Sequence, residues 1–142
     1  MLVYRRSFSV KSVLNLNGFV WFSLDPDYGK HTYGDVVSSY ILNANVNLFD
    51  IGASKNRDNL INLFVERSDM RVTRRHLKRL KYILHPDEQY SCCESNTRAH
   101  NFIKSVIGDI FDGTIIDEAN ADEDLKGATE VVLWNFTKIR QL

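Results

Sequence analysis

The stretch Gly18-Phe19-Val20-Trp21-Phe22-Ser23-Leu24-Asp25-Pro26, continuing Asp27-Tyr28-Gly29-Lys30-His31-Thr32-Tyr33-Gly34, decides how the fold is read. Phe19 to Phe22 is an unbroken apolar run of strand length. Asp25-Pro26 ends it, because proline cannot donate to a ladder and aspartate favours turns. Gly18 stands where a preceding helix needs a residue free to take positive φ. Asp27 to Gly34 reads as an aromatic-rich short helix or turn. Upstream, Ser9 to Leu16 predicts a helix with Ser9 as N-cap and Val10, Val13 and Leu14 on one side. Leu2-Val3-Tyr4 predicts a short first strand.

Downstream, Val36 to Leu42 reads as a strand. A turn at Asn43-Ala44-Asn45 then leads into a second β stretch, Val46 to Ile51, as a hairpin or a tight strand connection. Residues 58–66 predict a helix, with Asp58 as N-cap and Leu60, Leu63 and Phe64 inward. Met70, Leu77, Leu80 and Leu84 fall at helical spacing, with Arg71, Arg74, Arg75, Lys78 and Lys81 largely elsewhere on the wheel. Pro86 ends that helix. A further helix covers about Thr97 to Ile107 and stops at Gly108. Gly113 to Ile116 and Thr129 to Trp134 return to β. Strands at both ends with helices between them make the chain α+β.

With 142 residues, 44% hydrophobic and 25% charged, the chain suits a single folded domain over 1–142 and not a disordered or collagen-like one. No apolar run reaches bilayer length, so no membrane partner is expected. Arg5 and Arg6 have no apolar region behind them, so the N-terminus does not read as a signal peptide. Cys92 and Cys93 are adjacent, which strains a disulfide between them. An intracellular, cytoplasmic protein is therefore expected. The formal charge is zero, from 18 Lys+Arg against 18 Asp+Glu, which disfavours a globally basic nucleic-acid binder. That zero is uneven: residues 66–82 carry a local +5 and residues 109–130 a local −7.

Three separated segments resemble the ADP-ribosyltransferase-like superfamily, whose members cleave NAD. Val3-Tyr4-Arg5-Arg6-Ser7 is similar to a first strand in which Arg follows an aromatic residue. Gly18 to Tyr28, followed by Tyr33-Gly34, looks like the family's Ser-bearing strand and its aromatic helix. Phe111-Asp112-Gly113-Thr114-Ile115-Ile116, then Glu130-Val131-Val132-Leu133-Trp134-Asn135 and Ile139, resembles the closing hairpin, with Glu opening the last strand. The resemblance implies an α+β fold of two small, mainly antiparallel sheets forming a cleft, with helices inserted in the middle of the chain. Residues 53–105 match no part of it. Arg6 stands where many relatives have a small residue, and Leu24 where Thr is frequent. Ala128 stands where arginine-modifying relatives carry a second Glu or Gln, so arginine is not implied as the target.

The implied reaction is transfer of ADP-ribose from NAD to an acceptor of unknown identity, with a protein the favoured class, or to water. Cleaving the nicotinamide–ribose bond builds positive charge on the ribose, which a carboxylate can stabilise. Glu130 is the candidate, with Ser23 orienting it or touching ribose. Arg5 would hold the NAD phosphates or ribose through its planar fork, beside Tyr4. Tyr28, His31 and Tyr33 would offer surfaces for nicotinamide. Each residue also has a plain reading: Arg5 as a solvated arginine, Ser23 as the cap of a turn, Glu130 as a surface residue, and the tyrosines as packing groups.

An inactive relative is the alternative, as is an interaction module docking on nucleic acid or an acidic partner through the basic helix 66–82. That segment more usually reads as a solvated face, and it interleaves no aromatics for base stacking, which disfavours single-strand recognition. Asp117 to Asp124 reads as a solvated hairpin loop or as a surface for a basic substrate. His85-x6-Cys92-Cys93-x6-His100 lacks a Cys-x2-Cys pair, so no metal is expected.

Overall fold

A computed structural model describes residues 1–7, 18–30, 32–86, 93–128 and 130–142, with the side chains of 93 and 94 left out. The strands are β1 (Leu2–Ser7), β2 (Val20–Ser23), β3 (Val36–Leu42), β4 (Leu48–Asp50), β5 (Gly113–Ile115), β6 (Glu130–Leu133) and β7 (Ile139–Gln141). Between β4 and β5 run helices α1 (Ser54–Arg67), α2 (Arg74–Leu84) and α3 (Cys93–Ile107). The helix expected over Ser9 to Leu16 lies outside the described residues. The chain is α+β, and it divides into two compact units.

The first unit comprises residues 1–49, 112–115 and 129–142. Its strands belong to one seven-stranded sheet of order β4-β5-β6-β2-β1-β3-β7, which corrects the expectation of two small sheets. The two ends of the chain are what unify it. β6 slots between β5 and β2, and β7 adds to the far side of β3 through Tyr40↔Gln141 and Leu42↔Ile139. The turn expected at Asn43–Asn45 forms, Val46 N–H donating to Asn43 O at 3.1 Å, but it closes no hairpin. The free edge of β3 is taken by β7, Asn43 N–H donates to Lys138 O at 2.8 Å, and the chain crosses to the opposite edge of the sheet to form β4.

Side chains alternate across each strand, so directly paired residues share a face. Val3, Val20, Phe22, Tyr40, Leu42, Val131 and Leu133 form one buried cluster on one face, with Leu48, Phe136 and Ile139 packed against it. Leu133 is wholly buried, and truncating such a side chain to Ala costs about 2–5 kcal/mol. Gly113 must be glycine, because a Cβ there would lie 2.1 Å from the Val132 carbonyl oxygen on the paired strand.

The second unit comprises residues 50–111 and 116–128. Here α1, α2 and α3 pack on one another. Leu60, Ile61, Leu84, Ile103 and Ile107 are buried, and Phe64 meets Phe102 edge-on at 5.1 Å. Helix α1 starts four residues earlier than the sequence suggests, at Ser54, with Ala53 rather than Asp58 at the cap. The cap is supplied from far along the chain: Asp122 Oδ1 accepts from Ser54 N–H at 3.0 Å. Helix α2 instead caps itself, Thr73 and His76 exchanging bonds in a capping box, so the basic segment 66–82 is not one helix as expected but the end of α1, a connection and most of α2. Among the described residues, no helix is long and apolar enough to cross a membrane.

Candidate functional site

The site is built on the sheet face opposite the apolar cluster. In the ladder, Ser39 pairs with Tyr4, Tyr4 with Ser23, and Ser23 with Glu130, so these four side chains form a row across β3, β1, β2 and β6. Directly opposed Cβ atoms lie about 5 Å apart. Ser23 is buried at 7% exposure, and Glu130 is half-buried at the start of β6. The Ser23 hydroxyl accepts from Asp25 N–H at 2.9 Å, closing the turn that leaves β2. The plain reading of Ser23 as a turn cap is thus realised, at a position that also faces Glu130.

The turn carries the aromatic groups. Tyr28 N–H bonds to Asp25 O at 3.2 Å and Tyr33 N–H to Gly29 O at 2.9 Å, closing a turn on each side of Gly29. Gly29 has φ +71, and a Cβ on it would lie 2.2 Å from Tyr33 Cδ2. The missing side chain lets the Tyr33 ring lie back over the turn and stack on Tyr28, with centroids 6.4 Å apart and planes 28° from parallel. Both rings are about half exposed, Tyr28 at 50% and Tyr33 at 52%. Burial, then the neighbouring Tyr33 and Glu130, push the Tyr28 hydroxyl above the ordinary tyrosine range. The stacked pair and the Glu130 carboxylate are therefore electrostatic neighbours.

Of the residues singled out in the sequence, Tyr4, Ser23 and Glu130 share the row, with Tyr28 and Tyr33 beside it. Arg5 does not join them. It pairs with Ser38 and has the parity of Val3, which places it on the apolar-cluster face. Arg6 is the β1 cation on the row's own face. Its side chain is 7% exposed and meets Asp27 at 3.5 Å. Its Nε donates to Pro26 O at 2.9 Å and its Nη1 to Gly34 O at 3.2 Å. Arg6 thus clamps both ends of the tyrosine-bearing turn to β1. The signal that finds it is the period of two counted from Val3. His31 lies outside the described residues.

The remaining polar groups of interest belong to the second unit. Arg57, buried at 7% exposure, donates to Ile51 O at 2.8 Å and to Asp122 Oδ2 at 2.6 Å. Burial raises the Asp122 pKa, but the bond from Ser54 N–H and the Arg57 guanidinium outweigh it and hold the carboxyl below the usual range. His85, Asp122 and Asp124 bring ligand atoms within 4.8 Å of one another. Asp122 already binds the Ser54 N–H and the Arg57 guanidinium, so its carboxylate reads as the counter-charge of a buried arginine, and His85 lies 3.4 Å from Asp124. His100 is wholly buried, its Nδ1 donating to Asn96 O at 2.9 Å. Burial lowers its pKa to about 4, so it is a neutral core histidine at pH 7. Cys92 and the Cys93 side chain lie outside the described residues. No protein-family model, no curated protein and no solved structure matches this chain.

Proposed function

We propose that the chain is an ADP-ribosyltransferase-like domain that binds NAD and transfers ADP-ribose to an acceptor. The observation that carries the reading is the direct pairing of Ser23 with Glu130, beside the stacked Tyr28 and Tyr33. A half-buried carboxylate next to a half-exposed aromatic surface fits a ribose joined to a flat heterocycle. In the transfer, the ribose–nicotinamide bond breaks and an acceptor nucleophile takes its place.

Glu130 accepts a hydrogen bond from a ribose hydroxyl and stabilises the positive charge that grows on the sugar. Ser23 holds the neighbouring backbone and borders the same ribose. Tyr28 and Tyr33 give the departing ring a stacking surface. Arg6 acts as a positioning residue by fixing the turn on which both rings stand. Arg5, on the other face of β1, is left with the NAD phosphates only if they reach around the strand. The experiment is a nicotinamide-release assay with a thermal-shift titration of NAD. The reading expects release above the uncatalysed rate and a melting temperature that rises with NAD. Absence of both refutes it.

A further inference from the structure

Helix α2, Arg-Arg-His-Leu-Lys-Arg-Leu-Lys-Tyr-Ile-Leu, contains no acidic residue. Its inward side is Leu77, Leu80 and the buried Leu84, facing its helical neighbours. Arg74, Arg75, Lys78, Arg79 and Tyr82 are all exposed and lie on the opposite side, within about 140° of arc at 3.6 residues per turn. Lys81 meets Asp58 at 4.0 Å, but no acidic group among the described residues pairs with the other four cations.

Helix physics alone disfavours this pattern. Arg74 and Arg75 sit in the first turn, where the macrodipole favours acids. Arg74 with Lys78 and Arg75 with Arg79 are like-charge pairs at i,i+4. A bound polyanion offsets these repulsions by placing a phosphate against each cation. Protein interfaces are organised around a desolvated apolar centre, and this stripe has none. Its single apolar element is Tyr82, 62% exposed at the C-terminal end of the stripe. Guanidinium forks match phosphate, and an exposed aromatic ring at the end of a cationic track suits an unpaired base. Arg74 to Tyr82 spans about 12 Å of helix axis, the length of roughly three or four stacked nucleotides.

We propose that α2 docks single-stranded nucleic acid, with Arg74, Arg75, Lys78 and Arg79 on backbone phosphates and Tyr82 stacked on a base. The test is fluorescence anisotropy of the full chain with labelled oligo-dT and oligo-U, titrated between about 50 and 200 mM salt. Four phosphate contacts give a log–log salt slope of about −3, hence about fifty-fold weaker binding across that range. Arg75→Glu/Lys78→Glu is expected to lower affinity at least tenfold and to flatten the slope, with helix content by circular dichroism unchanged. Should that pair not fold, Arg75→Gln/Lys78→Gln, which only relieves repulsion, is expected to move both readouts in the same direction. Tyr82→Ala is expected to weaken binding roughly tenfold at an unchanged slope. The proposal is overturned by binding insensitive to salt or to these charge changes. Polyglutamate competing as well as the oligonucleotides overturns it in favour of an acidic protein partner. Duplex DNA bound as tightly as single strands, with Tyr82→Ala silent, overturns the single-strand reading.

Discussion

Replacing Gly29 by alanine tests how the tyrosine surface is built. The backbone there has φ +71, where a Cβ costs about 1–2 kcal/mol. The added methyl would sit 2.2 Å from Tyr33 Cδ2 and 2.9 Å from Cε2, so the ring must leave its place. Tyr33 is 52% exposed and can swing into solvent, so the clash adds little to the stability loss. At roughly 3 °C per kcal/mol for a chain of this length, the melting temperature falls by about 3–6 °C. What is lost specifically is the Tyr33 ring beside Tyr28 as a surface for nicotinamide; one ring contact to the ligand, about 0.5–1.5 kcal/mol, corresponds to roughly two- to tenfold in NAD affinity. Gly127→Ala is the matched control, since φ there is +91 and nothing lies within 4 Å of its Cβ. It should lose similar stability and leave affinity alone. Near-UV circular dichroism of the tyrosines and NAD titration read the two effects separately. If Gly29→Ala and Gly127→Ala behave alike in both, the account of this turn is refuted.

Arg6→Ala removes the bonds to Pro26 O and Gly34 O and frees the turn from β1. It is expected to raise the KM for NAD more than it lowers kcat, whereas Arg5→Ala should change both little; steady-state nicotinamide release checks this. His100 has a folded pKa of about 4 against an ordinary 6.5, so the unfolded chain binds its proton first. Stability is therefore full above pH 6.5 and falls as pH drops from there to about 4, by roughly 3 kcal/mol in urea titrations; His100→Gln should flatten that slope. Asp122→Asn leaves the buried Arg57 guanidinium without its counter-charge and should cost about 2–3 kcal/mol, less than a fully buried pair because Asp122 is 27% exposed. The lowered Asp122 pKa adds stability present above about pH 4 and lost as pH falls through its folded value, which the same titration in this variant should lack.

The parts of the fold set by neighbours in sequence were readable from it. β3 occupies Val36–Leu42 as its β-branched pattern suggests. What depends on distant partners was not readable. Whether Asn43–Asn45 makes a hairpin is decided by β7, about a hundred residues later, occupying the edge of β3. The start of α1 depends on Asp122, and the Arg57 clamp on the same residue. At the candidate site, the resemblance singles out Ser23 and Glu130, but their pairing follows from strand register, which no local pattern specifies. The choice between Arg5 and Arg6 was legible in principle. Val3 is a core residue, so a period of two puts Arg5 on its face and Arg6 on the other.

The most direct test of the central claim is nicotinamide release by Glu130→Gln measured beside NAD binding by the same protein. The substitution keeps the shape and removes the charge of a half-buried residue opposite Ser23. NAD binding is expected to stay within a few-fold while release falls at least a hundredfold, as for loss of a group that stabilises transition-state charge. Release by Glu130→Gln at the wild-type rate would contradict the central claim.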